Sequence, residues 1–171
     1  MNREDLVHWL LQQEPHDLCG RFETSFADGS DGERGSFLFV RPSVWAVKLD
    51  RSATMWGNGK LRFVKDSSGI TSGQSSALPQ RPPWSMVIPR LAPIFGRVGD
   101  DWELGKLTEG GTRIQARLSS ANRRGSVLVD LGLGILVEMS TPAWSARVDV
   151  GLRAGERRSL EALFAMGTPL T

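Results

Sequence analysis

Trp84-Ser-Met-Val-Ile-Pro-Arg-Leu-Ala-Pro-Ile-Phe-Gly-Arg-Val98 is an apolar stretch broken twice by proline, set in a chain that otherwise alternates. Pro89 and Pro93 each remove a backbone donor, so the stretch can hold a helical turn or two but no long helix. Before it, residues 18–65 read as short strands. After it, residues 102–152 do the same. An apolar segment lying between two strand blocks predicts a sheet with a short helical plug laid against it.

The first block carries period-two patterning. Phe22, Thr24 and Phe26 share a face against Arg21, Glu23 and Ser25. Asp28-Gly-Ser-Asp-Gly-Glu33 is a turn by composition. Ser36–Arg41 and Val44–Leu49 follow, with Pro42 between them at a bend where a missing N–H does no harm. Thr54–Trp56 and Lys60–Lys65 flank Gly57-Asn58-Gly59, a strong local hairpin signal. Residues 66–83 are rich in Ser, Gly, Gln and Pro, and read as a structureless, mobile loop or lid.

In the second block Ile114, Ala116 and Leu118 alternate with Arg113, Gln115 and Arg117, and Trp144, Ala146, Val148 and Val150 alternate with polar neighbours. Strands with one apolar and one polar face suit an antiparallel sheet that meets water on one side. Asn2–Gln13 is predicted as a first helix, capped by Asn2, acidic in its first turn and stopped by Pro15. Residues 154–166 are predicted to close the chain as a second helix. The expectation is one α+β domain over residues 1–171. Its single curved antiparallel sheet has about eight to eleven strands, with the plug and the first helix on the concave face.

Composition narrows the function. At 171 residues the chain can bury a core without covalent staples. Cys19 is the single cysteine, so no internal disulfide forms. The formal net charge is +2, and Arg123-Arg124 and Arg157-Arg158 are isolated doublets rather than a phosphate track. A nucleic-acid partner is not expected. The sequence holds neither a signal-peptide pattern at its start nor an apolar run long enough for a transmembrane segment. The chain as given is expected to be cytoplasmic, unless a leader preceded it.

No catalytic constellation stands out. His16 and Cys19 could form a Cys–His pair or two metal ligands, but a zinc site needs about four ligands and a nucleophile needs an orienting group. A small buried thiol at a strand start is the simpler reading. Asp28, Ser30, Asp31 and Glu33 do not match a calcium-loop register. Gly57-Asn58-Gly59-Lys60 lies between strands rather than before a helix, so it is not a phosphate loop. Asp100 and Asp101 read as the end of the plug on a solvated edge. No enzyme activity, cofactor or metal is expected.

The aromatic inventory carries more weight, with six Trp and seven Phe but no Tyr. Such a set suits an apolar surface with few hydroxyl anchors. Phe37, Phe39, Trp45, Phe63, Trp84, Met86, Phe95 and Trp102 are the candidate lining of a site for an apolar small molecule or lipid. The alternative is a protein–protein interaction or regulatory module whose interior is filled by its own side chains.

Two stretches carry a family resemblance. Gly35-Ser-Phe-Leu-Phe-Val-Arg-Pro-Ser-Val-Trp-Ala-Val-Lys-Leu-Asp50, followed by Met55-Trp-Gly-Asn-Gly-Lys-Leu-Arg-Phe63, resembles the opening strands and glycine–lysine hairpin of the LolA/LolB-like lipoprotein carrier superfamily. Val127-Leu-Val-Asp-Leu-Gly-Leu-Gly-Ile-Leu-Val-Glu138 is similar to a later hairpin of that superfamily and of its actinobacterial lipid-binding relatives. The resemblance implies a half-open antiparallel barrel around helices, with an apolar cavity for acyl chains. Val44-Trp45-Ala46-Val47 stands where the carriers usually place a strand-borne arginine, so that residue's role is not carried over.

Overall fold

Eleven strands form one open antiparallel sheet in a computed structural model that describes residues 1–14, 17–75, 78–79 and 81–166. In chain order the strands are β1 (Leu18–Phe26), β2 (Arg34–Arg41), β3 (Val44–Leu49), β4 (Thr54–Asn58), β5 (Arg62–Asp66), β6 (Gly69–Gly73), β7 (Glu103–Gly110), β8 (Arg113–Ser120), β9 (Arg123–Asp130), β10 (Ile135–Ser140) and β11 (Trp144–Val150). The helices are α1 (Arg3–Gln12), α2 (Trp84–Val87) and α3 (Ala154–Ala165), with a 3-10 turn at Pro89–Leu91. The sheet order is β6-β5-β4-β3-β2-β1-β11-β10-β9-β8-β7, which leaves β6 and β7 as edges. The chain divides into two compact units.

The first unit comprises Met1–Pro15, Thr24–Gly32 and Gln80–Val148. Asn2 caps α1 by accepting a bond from the Asp5 N–H at 2.9 Å, and the Asp5 side chain bonds back to the Asn2 N–H. The predicted stop, Pro15, lies outside the described residues. Leu6 and Leu10, one turn apart, are fully buried where α1 packs against β7 and the 3-10 turn. In β8 the predicted alternation holds, with Ile114, Ala116 and Leu118 buried and Arg113, Gln115 and Arg117 exposed. Asp130, at the end of β9, accepts bonds from the Gly132 and Leu133 N–H groups and from Arg113 Nε. It organises the turn into β10, where Gly134 adopts φ +69°.

The second unit comprises His16–Glu23, Glu33–Pro79 and Asp149–Thr171. Here β2 is buried from Gly35 to Phe39, so both faces of the sheet are apolar. Leu38, Ala46, Trp56 and Phe63 lie across β2, β3, β4 and β5 on one face, covered by Leu160 of α3. Trp56 and Phe63 stack with ring centroids 5.1 Å apart. Phe37, Phe39, Trp45 and Val47 alternate onto the opposite face.

Two expectations are corrected in this unit. Within residues 66–83, expected to be structureless, Gly69–Gly73 pairs with β5 as an edge strand. Asp66 builds the turn into it, accepting bonds from the Ser68 N–H at 2.8 Å and from its hydroxyl at 2.5 Å. The strand is exposed at four of its five positions, so it rests on backbone pairing and leaves no apolar trace. The hairpin turn is also displaced. β4 continues through Asn58, whose side chain accepts bonds from the Lys60 and Leu61 N–H groups.

Candidate functional site

Four of the eight candidate residues belong to each unit. In the second unit, strand parity puts Phe37, Phe39 and Trp45 together, as Phe39 pairs with Trp45 and Phe37 with Val47. Phe63 does not join them. Its register with Trp56, and that of Trp56 with Ala46, turns it to the α3 face. Gly57 belongs to the Trp45 side for a steric reason: a Cβ there would lie 2.6 Å from the indole nitrogen of Trp45.

In the first unit, Trp84 and Met86 come from α2, which packs against β10. Pro83 precedes this helix and Pro89 begins the 3-10 turn, so the segment is broken as its prolines predict. Val87, Ile88, Ala92 and Ile94, which the candidate set omits, are buried with them. The backbone bonds described for 84–92 are all local: Ser85 to Arg81, Met86 and Val87 to Pro83, Ile88 to Trp84, Leu91 to Ile88, Ala92 to Pro89. Side-chain burial is what seats this piece on the sheet.

The chain is anchored immediately beyond. Trp102 N–H bonds to Pro93, Gly96 to Trp102 and Leu104 to Ile94, while Phe95 bridges to Glu103. Asp100 is not on a solvated edge. Its side chain is 8% exposed and accepts bonds from the Phe95 and Arg97 N–H groups and from the Arg97 guanidinium. Burial works to raise its pKa, yet these bonds and the Arg97 charge hold it below the ordinary carboxylate value. Arg97 also donates to the Arg90 and Ala92 carbonyls, at 3.2 and 3.0 Å, tying the plug to its anchor. The guanidinium of Arg97 lies 4.9 Å from the centre of the Phe95 ring, and that of Arg123 lies 5.0 Å from Trp102.

All eight candidate side chains are 8% exposed or less. Among the described residues, three surface concavities of about 460, 330 and 350 Å³ are lined mainly by polar residues, and Trp102 borders the one of about 330 Å³. Cys19 is half-buried against the Leu38–Trp56 cluster, and His16 lies outside the described residues. The side chain of Asp28 accepts bonds from the Ser30 N–H and hydroxyl, an ordinary turn arrangement. Among the described residues no three His, Cys, Asp or Glu side chains gather as a metal site requires, and no helix is long and apolar enough to cross a membrane.

No family model matches this sequence, and no curated protein matches it. Among solved structures the chain is similar to a LolA superfamily protein from Nitrosomonas europaea, at 10% identity over 94% of this chain and 97% of that one, with a TM-score of 0.39. It is also similar to MucB, solved in complex with MucA(peri), at 10% identity over 92% of this chain, with a TM-score of 0.43. The match spans 58% of the MucB chain.

Proposed function

We propose that this chain is a non-catalytic binding protein that takes an apolar, acyl-bearing ligand against the sheet face beneath residues 84–92. The observation that carries this reading is the bonding of that segment. Its described backbone bonds stay within 81–92, so it can leave the sheet as one piece without breaking a ladder. Leaving breaks the Arg97 bonds to the Arg90 and Ala92 carbonyls and gives up burial of Trp84, Met86, Val87 and Ile88. Re-exposing each loses about 1.5–3 kcal/mol, while an acyl chain of about fourteen methylenes gains about 11 kcal/mol at about 0.8 kcal/mol each. The two terms are of similar size, as reversible binding requires. The sequence resemblance to lipoprotein carriers points the same way. Native mass spectrometry for co-purified lipid, joined to displacement of a fluorescent fatty acid, tests it. A one-to-one complex is expected, and absence of both signals rejects the reading.

A second reading has its own observation. All eight candidate side chains are already enclosed by protein, as expected of an interaction module with a self-filled interior. That reading predicts no lipid in either experiment and an unchanged segment 84–92.

A further inference from the structure

We propose that the outward face of β7, β8 and β9 binds a soluble, phosphate-bearing small molecule through Lys106, Arg117 and Arg124. These residues, with Thr108, Gln115 and Ser126, line the concavity of about 460 Å³ in the first unit. That volume lies within the usual range for small-molecule sites. Strand parity builds it. Ile114, Ala116 and Leu118 turn into the core, which forces Gln115 and Arg117 outward, opposite Thr108 and Ser126. Lys106 comes from a bulge in the edge strand β7, where pairing with β8 slips between Leu104 and Leu107. Bulges re-aim side chains in this way.

The charge pattern sets this face apart. Four other arginines of the unit are paired with carboxylates: Arg3 with Glu103, Arg90 with Glu14, Arg97 with Asp100 and Arg113 with Asp130. Among the described residues no carboxylate pairs with Lys106, Arg117 or Arg124, and none lines the concavity. Arg124 also borders the neighbouring hollow with Asp100, Asp101 and Glu103, of which Asp100 and Glu103 are already bonded to Arg97 and Arg3. Asp101 is the remaining carboxylate of that hollow; within the concavity itself three cations have no carboxylate beside them, and an entering anion relieves their repulsion. Two guanidinium forks and an ammonium, with hydroxyl and amide donors beside them, suit the many acceptor oxygens of a phosphate group. The surface is concave, which favours a discrete soluble molecule over the plane of a bilayer. The site is separate from the 84–92 segment and does not depend on acyl binding.

Inorganic pyrophosphate titrated into the full chain at low salt is the test, read by calorimetry and by backbone amide shifts. Saturable binding is expected, with shifts centred on residues 106, 117 and 124. Lys106→Gln with Arg117→Gln should weaken it about tenfold or more. Lys60→Gln with Arg62→Gln removes the same charge from exposed positions in the second unit and should change it by less than about twofold. Equal weakening in both double variants overturns the proposal. So does a wild-type chain that ignores pyrophosphate, whether or not it sediments with phosphatidylglycerol vesicles.

Discussion

Asp100 holds Arg97 at both ends, its Oδ2 accepting from Arg97 Nε at 3.0 Å and its Oδ1 from Arg97 Nη2 at 3.1 Å. This pair joins the 84–92 segment to the hairpin that leads into β7. Asp100→Asn keeps the shape but removes the charge that Arg97 and two backbone N–H groups address. We expect a loss of about 1–3 kcal/mol, read from the urea midpoint at neutral pH.

The same pair gives a pH dependence. Asp100 is held below its unfolded pKa, so its contribution is complete above about pH 4 and fades as pH falls through the lowered value. The stability gap between wild type and Asp100→Asn should therefore hold from pH 6 down to about pH 4 and shrink as pH falls further. A gap of constant size across that range would show that the charge is not what matters.

Gly57→Ala tests the steric reading of the Trp45 side. Trp45 is fully buried and cannot yield to a Cβ 2.6 Å from its indole nitrogen. A loss of about 1–3 kcal/mol is expected, with a shift in tryptophan emission. A variant as stable as wild type would mean that the ring has room to move.

Leu160 is the α3 residue fully buried over Leu38, Ala46, Trp56 and Phe63. Leu160→Ala should lower stability by about 2–4 kcal/mol and loosen α3, seen as faster amide exchange over residues 154–165. Leu163→Ala, at a half-buried position on the same helix, should have a smaller effect.

Much of this was legible wherever burial or a fixed dihedral leaves a residue pattern. Asn2 signals a cap, Pro89 and Pro93 break the plug, and Phe37 and Phe39 share a face because strands alternate. β6 left no such pattern, since Gly69–Gly73 is mostly exposed and is held by backbone bonds any residue can make. The face of Phe63, shared with Leu38 and Trp56, was not legible because its parity depends on where the preceding turn falls. Gly57 sits inside β4, where its bare Cα makes room for Trp45, so the glycine signal was real but its cause was long-range. Asp100 looked solvated because its partners are mostly backbone N–H groups, which no composition records.

The most direct test of acyl binding is hydrogen exchange at the amides of 85–92, with and without palmitate, on a sample whose lipid occupancy is set by native mass spectrometry. Occupancy should change exchange in that segment while the anchor amides of Gly96, Trp102 and Leu104 stay as they are. Lipid bound with 85–92 unchanged, or no lipid bound at all, would contradict the account.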